Sequence, residues 1–482
     1  MLGFPRAKIA LIITAALLVI QLVADLDGPL WEQDEAAYAG FAHNMIETGD
    51  WIVPQFPFSE PHRKPPLHFW MIAISFLVFG ESEIALRLPS ILSFLGATAL
   101  LAGLGAKLYG RQRAFLASLI FTTALFFSNF AKISLTDSLL LFCQTGAILS
   151  LGLYLKDGRT GYLLLLAGAT AMGLLTKGPP ILILIGGPIL FSLFQAEGRR
   201  RLLHPAFIAC MLLAFVPLLM WGWLAYRQTN GELIHWMIDW YVLRRAGGAV
   251  FGQSAPPGLY LLFLLVAFLP WSPALFAFAR DQWRAMRPLR LMLTLPALRR
   301  LIDRYSFEFG WALSGWLFYE MLPSKLPSYV LGAAPLLAVV IAGQLLKSGS
   351  SIPFYYRIAA PLGALINALI WIIVPSLIQE KRAASQEMAH VIDAAAKSKM
   401  VYISESFRLP GVAFYSKSPM KTITSPLELE RIQQCTDCIL VLDAGTYLIM
   451  HMQGISAEPH DVYLWDRGKT VPYFIFRPNE RP

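Results

Sequence analysis

Eleven runs of mostly apolar residues punctuate the first 378 positions of this 482-residue chain. They lie near 8–25, 86–106, 114–131, 138–155, 161–176, 179–195, 205–226, 258–278, 307–322, 328–346 and 356–378. An apolar run of about 20 residues, coiled as a helix, matches the ~30 Å hydrocarbon layer of a bilayer. Inside that layer the backbone must satisfy its own polar groups, and a helix does so within one segment. Hydrophobic residues make up 56% of the chain and charged residues 15%, against about 25% charged in soluble domains. A water-soluble enzyme and a disordered chain are both excluded on these numbers. Arg6 and Lys8 precede the first run and no small-residue cleavage pattern follows it, so it reads as an uncleaved first span.

A further apolar run, 66–79, is about 14 residues long. At that length a re-entrant or interfacial helix is favoured over a crossing. The positive charges support this. With the N-terminus inside and 66–79 not crossing, the inner loops hold Lys107, Arg111, Arg113, Lys156, Arg159, Arg199, Arg200, Arg201, Lys347, Arg357 and the seven arginines of 280–304. The outer loops are much poorer in Lys and Arg, as the positive-inside rule requires. Counting 66–79 as a crossing inverts every later loop. The net charge of +9 therefore fits inner loops against anionic lipid, with no nucleic-acid partner. The expected fold is a multi-span α-helical membrane protein of about 11 transmembrane helices, with the C-terminus outside.

After Gln379 the chain turns polar. Helical stretches are expected near 383–397 and 426–434, and short apolar runs (KMVYIS, GVAFYS, CILVLD, DVYLW, VPYFIF) alternate with turn signals. Residues 380–482 read as a small soluble α/β domain on the outer face, and residues 1–379 as the transmembrane domain.

The chemistry concentrates in the outer loops. In the first, 26–66, a helix is expected from Gln33 or Asp34 to about Thr48, ended by Gly49, with Ala37, Phe41, Ala42 and Met45 on its greasy face. Such a helix lies along the membrane surface. Asp34 and Glu35 fall in its first turn, where the helix dipole favours carboxylates; on spacing alone, plain N-capping is the stronger reading. Arg63 and Lys64 stand directly before Pro65-Pro66. Fixed cations there suit a phosphate headgroup, or simple interfacial snorkelling. Asp137 sits at the outer margin of 138–155, with Lys132 as a near partner and Lys64 as a distant one; Thr-Asp-Ser also suits capping. Lys177 occupies a Gly-Pro turn, Arg244 and Arg245 follow Trp236, Trp240 and Tyr241, and Lys325 and Tyr329 stand at the entry to a later span. Paired arginines can clamp a phosphate. Together these residues suit an outward-facing pocket for an anionic, lipid-linked substrate.

Asp34-Glu35, Arg63-Lys64-Pro65-Pro66-Leu67 with Trp70, Phe79-Gly80-Glu81, Arg87-Leu88-Pro89, Leu135-Thr136-Asp137, Leu175-Thr176-Lys177-Gly178, Pro270-Trp271 and Ser324-Lys325-Leu326-Pro327-Ser328-Tyr329 occur in that order. In this the chain resembles the polyprenyl-phosphate-sugar glycosyltransferases of the C-type membrane fold. It is most similar to bacterial lipid A aminoarabinose transferases, with protein O-mannosyltransferases as distant kin. The resemblance implies an inner-membrane enzyme with a periplasmic active site that inverts the anomeric centre. It uses a polyprenyl-phosphate-linked sugar donor and a glycolipid or protein acceptor, with no cofactor and no metal. It implies Asp34 as catalytic acid beside Glu35, Lys64 with Arg63 on the donor phosphate, and Asp137 orienting Lys64. Arg244 or Arg245 is then a second phosphate ligand and Tyr329 a hydrogen-bond donor, leaving Lys177, Lys325 and Tyr241 as substrate contacts. The family usually carries an acid directly before Lys-Pro-Pro; this chain has Arg63.

A lipid or polyprenyl-phosphate transporter is the alternative from another class. It is disfavoured by the absence of an internal repeat and by charges clustered at one face. Cys435 and Cys438 suit a local disulfide in an oxidising compartment, and Cys143 and Cys210 fall within spans as packing residues.

Overall fold

The computed structural model describes residues 4–32, 34–59, 64–244, 254–290, 305–347, 355–407, 409–423, 425–432, 435, 437–452, 456–465 and 467–478. It forms two compact units. One comprises 1–26, 64–68 and 87–372, and the other 27–63, 69–86 and 373–482.

The first unit is helical. Among the described residues, five helical segments are long and apolar enough to cross a membrane: Glu83–Tyr109, Thr136–Asp157, Pro205–Gln228, Pro327–Lys347 and Arg357–Leu377. Each falls on one of the expected runs. Expected spans 8–25, 161–176 and 179–195 fall on shorter helices, Lys8–Val23, Gly161–Lys177 and Pro180–Ser192. Three runs are broken. The 114–131 run is the helix Arg111–Thr123 followed by the turn Phe127–Phe130. The 258–278 run divides into Leu259–Ala267 and Ser272–Arg290, with Pro270, which has no N–H to donate, between them. The 307–322 run contains the π-helical turn Leu313–Leu317.

Apolarity alone cannot place such breaks, because a broken helix stays buried when neighbours satisfy its backbone. At the 124–126 break Asn367 Nδ2 donates to the carbonyls of Thr123 (3.4 Å) and Ala124 (3.3 Å), and buried cations do the same where the helix Phe4–Val23 ends. Arg87 Nη1 donates to the carbonyls of Asp25 (3.2 Å) and Leu26 (2.9 Å). Lys132 Nζ donates to the carbonyls of Gln21 and Ala24 and lies 4.0 Å from the centre of the Trp371 ring.

Close packing sets the remaining constraint. A Cβ on Gly187 would overlap the Gly310 carbonyl oxygen, so the helix Pro180–Ser192 meets its neighbour backbone to backbone. Tightly packed interiors leave no room for an added methyl.

The second unit carries a five-stranded sheet with spatial order β2-β1-β3-β5-β4. Its strands are β1 Met400–Ser404, β2 Met420–Ile423, β3 Cys438–Asp443, β4 Glu458–Leu464 and β5 Lys469–Phe476. β1 lies parallel to β2 and β3, whereas β5 is antiparallel to both β3 and β4. β3, apolar up to its last residue Asp443, is buried along almost its whole length, as expected for a central strand covered on both faces. The helix Ala384–Ala396 packs Met388, Ala389 and Ile392 against Val401, Ile403, Ile439 and Val441. Four of the five apolar runs behave as expected. The fifth, GVAFYS, is helical: Pro410–Tyr415 forms one and a half turns with Pro410 in the first turn, a position where proline is pre-organised for a helix. The helix Ala444–His451, capped by the Asp443 carboxylate on the Gly445 and Thr446 N–H groups, is not visible as periodicity. Cys435 and Cys438 are paired as a disulfide.

The first-loop helix, Asp34–Thr48, belongs to this second unit. It is more buried than an amphipathic surface helix: Glu35 to Ala42 and Met45 are all inaccessible. Ala, Gly and Phe allow this. Tyr38 and Phe41 pack their rings 5.2 and 5.1 Å from that of Phe69, on the short apolar helix Leu67–Phe79.

Candidate active site

An antiparallel helical hairpin organises the charged cluster of the first unit. Thr136–Asp157 runs in one direction, Gly158 turns the chain at φ 71°, and Gly161–Lys177 runs back. Asp137 therefore stands at a helix N-terminus and Lys177 at the adjacent C-terminus. The dipoles favour an anion at the first and a cation at the second. The two side chains meet: Lys177 Nζ donates to Asp137 Oδ1 at 2.5 Å, with the side chains only 16% and 9% exposed. Asp137 does not cap its helix. The cap position is Leu135, with no side-chain cap bond, so the capping alternative is set aside.

Lys64 and His68 complete the cluster. The Lys64 charge acts on both Asp137 and His68, and Ser328 hydrogen-bonds the Asp137 carboxylate. His68 is fully buried, its Nε2 3.5 Å from Ser134 Oγ. Burial first, then the Lys64 charge, pushes its pKa down to about 3, so it is a neutral imidazole at physiological pH. Two lysines set around the Asp137 carboxylate suit an arriving phosphate monoanion, whose attraction a water-poor setting strengthens.

Tyr329 lies in the 3₁₀ segment Pro327–Ala333, its ring 5.7 Å from that of Tyr319. Lys325 is turned inward. Its Nζ donates to the carbonyls of Glu320 (2.7 Å), Leu322 (2.8 Å) and Tyr319 (3.4 Å). An ammonium has three protons to donate and these carbonyls take all three, so Lys325 serves the backbone and no substrate contact is assigned to it. Arg244 is exposed, paired with Asp239 Oδ2 at 2.7 Å and stacked over Trp240. Arg63 and Arg245, and the side chain of Tyr241, lie outside the described residues.

In the second unit Asp34 is exposed and Glu35 buried. Glu35 Oε2 accepts the Trp31 N–H at 3.0 Å. One of the two neighbouring acids thus holds the backbone while the other faces out. Sequence reasoning overlooked His68, Ser134 and Ser328, and offered Asp137 the partners Lys132 or Lys64 but not Lys177. The signal for the last was available: a hairpin of two helices of similar length brings the first residue of one beside the last residue of the other. Among the described residues no cluster of three or more His, Cys, Asp or Glu has a geometry suited to a metal ion.

The chain is similar to several known proteins. Residues 63–223 match the family described as dolichyl-phosphate-mannose-protein mannosyltransferase. Over its full length the chain is 26% identical to undecaprenyl phosphate-alpha-4-amino-4-deoxy-L-arabinose arabinosyl transferase 2 of Proteus mirabilis, covering 90% of that protein. It is 27% identical to the corresponding Aeromonas hydrophila transferase over 72% of this chain and 62% of that one. Among solved structures, ArnT of Cupriavidus metallidurans bound to undecaprenyl phosphate superposes with a TM-score of 0.71 at 19% identity, covering 96% of this chain and 97% of that one. The Archaeoglobus fulgidus oligosaccharyltransferase gives 0.51 at 12% identity, over 96% and 74%. The ordered motifs and these similarities converge: the chain has the fold of ArnT and is similar to polyprenyl-phosphate-sugar glycosyltransferases.

Proposed function

We propose that this enzyme transfers a sugar from a polyprenyl monophosphate carrier to a lipid A-like glycolipid on the periplasmic face of a bacterial inner membrane. The observation that carries this reading is the buried Asp137–Lys177 pair with Lys64 beside it, a cationic cluster built for a phosphate at the end of two apolar helices. Aminoarabinose, named in the Proteus and Aeromonas relatives, is the first sugar to test.

The chemistry follows from charge. The bond between the anomeric carbon and the donor phosphate oxygen breaks, and its electrons leave with the lipid phosphate. Lys64 and Lys177 stabilise that growing charge, an effect commonly worth 10²–10³ in rate for each preorganised donor. Asp137 holds Lys177 in place and faces Lys64 with an opposite charge. The acceptor oxygen attacks from the opposite side, which inverts the centre. A hydroxyl acceptor gives its proton to Asp34; a phosphate acceptor is already ionised, and Asp34 then orients it. Arg63, Arg245 and Tyr329 join the donor side. About 11 crossings, a transmembrane domain 1–379 and an outer domain 380–482 accord with the arginine-rich loops on the inner side.

The family description matched by residues 63–223 names a protein acceptor, which makes protein O-glycosylation the second reading. Mass spectrometry of lipids and glycoproteins from cells with and without the protein, and with Asp34→Asn or Lys64→Ala, separates the two. Loss of one sugar from a glycolipid, with the polyprenyl donor accumulating, supports the first reading. Loss from a protein alone replaces the acceptor, and full transfer by both variants would falsify the assigned site.

A further inference from the structure

Residues 29–32, which end two positions before Asp34, are held from one side by the C-terminal part of the chain. Arg382 Nη2 donates to the Pro29 carbonyl at 2.7 Å, and its guanidinium lies 4.8 Å from the centre of the Trp31 ring. The Leu30 N–H donates to the Tyr415 hydroxyl oxygen at 3.0 Å. Glu32 makes the tightest connection. Its Oε1 accepts the Gly411 N–H at 2.9 Å and its Oε2 accepts the Ser385 hydroxyl. The seat has no slack: a Cβ on Gly411 would collide with Glu32 Oε2. From the other side, Glu35 accepts the Trp31 N–H and the helix that Asp34 opens is packed almost all round.

We infer that Glu32, seated on Gly411 and Ser385, is a positioning residue for Asp34, so that the C-terminal segment serves the transfer reaction by fixing its acid. A carboxylate accepts hydrogen bonds and donates none, so Glu32 locks only where two donors converge, and here they come from residues more than 350 positions along the chain. Asp34 is exposed, while residues 29–32 before it and the helix it opens are both held. A reacting group needs that combination, since a shift of about 1 Å can cost on the order of 10²-fold in rate. This inference rests on the reading of Asp34 as the acid of the transfer.

The test uses the full-length enzyme in proteoliposomes, with undecaprenyl-phosphate-linked aminoarabinose as donor and lipid A as acceptor. Glu32→Ala is expected to lower kcat by about 10²-fold with the donor KM within about threefold of the parent. Gly411→Ala is expected to reproduce that loss, because it displaces the same carboxylate. Glu32→Gln is expected to restore most of kcat: its amide oxygen still accepts from Gly411 and its NH₂ donates to Ser385. If Glu32→Ala fails to fold, Gly411→Ala and Glu32→Gln decide. Unchanged kcat in Gly411→Ala, or loss in Glu32→Gln as deep as in Glu32→Ala, overturns the inference. Asp34→Asn is run in parallel. If it retains full activity the reading of Asp34 fails; if it is inactive while Glu32→Ala stays within twofold of the parent, only the positioning role fails.

Discussion

Separating Asp137 from Lys177 should reveal an asymmetry that a simple ion pair would not show. In Lys177→Met the carboxylate keeps Lys64 within electrostatic reach. In Asp137→Asn two lysines keep their charge and lose the carboxylate that faces them both. Removing one partner of a buried pair typically costs about 3–5 kcal/mol, because the remaining charge is left uncompensated in a poorly hydrated site. Both groups are largely buried and 2.5 Å apart, so that scale applies to Asp137→Asn. Lys177→Met should fall at or below its lower end. The double variant removes the stranded charge and should recover a coupling energy of up to ~3 kcal/mol. Thermal denaturation of purified protein should therefore rank the parent above Lys177→Met and Lys177→Met above Asp137→Asn, with the double variant more stable than the sum of the two losses implies. Transfer activity should fall by roughly 10²–10³ in both single variants and not recover in the double. If the two losses add within about 0.5 kcal/mol, the residues do not act as a pair and the argument from helix ends is wrong.

Other consequences can be checked with the same material. His43 Nδ1 lies 3.0 Å from Glu81 Oε2, and that hydrogen bond, then the Glu81 charge, raises the His43 pKa above 6.5 against the opposing effect of partial burial. A raised folded-state value stabilises fully below about pH 6.5 and fades as pH rises through it. The melting temperature advantage of the parent over His43→Gln should therefore shrink between about pH 6 and pH 8. With both groups roughly 40% exposed, the effect stays below about 1 kcal/mol and disappears in high salt. Gly187→Ala should destabilise by about 1–3 kcal/mol through overpacking against Gly310, whereas Gly186→Ala, where a Cβ meets nothing within 4 Å, should be neutral in the same melt. Lys132→Met should cost about 1–3 kcal/mol, the usual loss when buried carbonyls forfeit their donor, read as earlier heat inactivation.

Much of the architecture is legible in the sequence because membrane insertion imposes a strong, local pattern. The apolar runs mark the helices well, and Gly49 and Gly158 mark where the chain turns. What escapes is set by tertiary partners. GVAFYS has strand-like residues, yet Pro410 and the Glu32 carboxylate on the Gly411 N–H make it a helix. The same contact explains why a polar tail after Gln379 and an outer loop before Lys64 group into one unit, for no periodicity records a bond between residues 32 and 411. Asp34 could be read as acid or as cap from its neighbours alone. Its exposure, beside a buried Glu35 that holds the backbone, distinguishes the two residues. Lys325 illustrates the opposite error: it stands in a motif and beside a tyrosine, but its protons are committed to three carbonyls.

Arg87, Lys132 and Lys325 differ from Lys177 in what an incoming anion must do to recruit them. A cation bound to main-chain carbonyls can serve a phosphate only by exchange, and exchange unlatches the loop it was holding. A cation bound to a carboxylate can share, because Lys177 keeps Asp137 while a second oxygen anion approaches its remaining protons. Loss of any of these side chains should lower activity, but for two unrelated reasons. Small primary amines added to the assay should restore transfer where a shared charge is missing, as in Lys177→Ala, and do nothing where a latch is broken. Rescue by an external amine would thus sort the lysines of the outer loops into those that meet the lipid phosphate and those that only hold the walls around it.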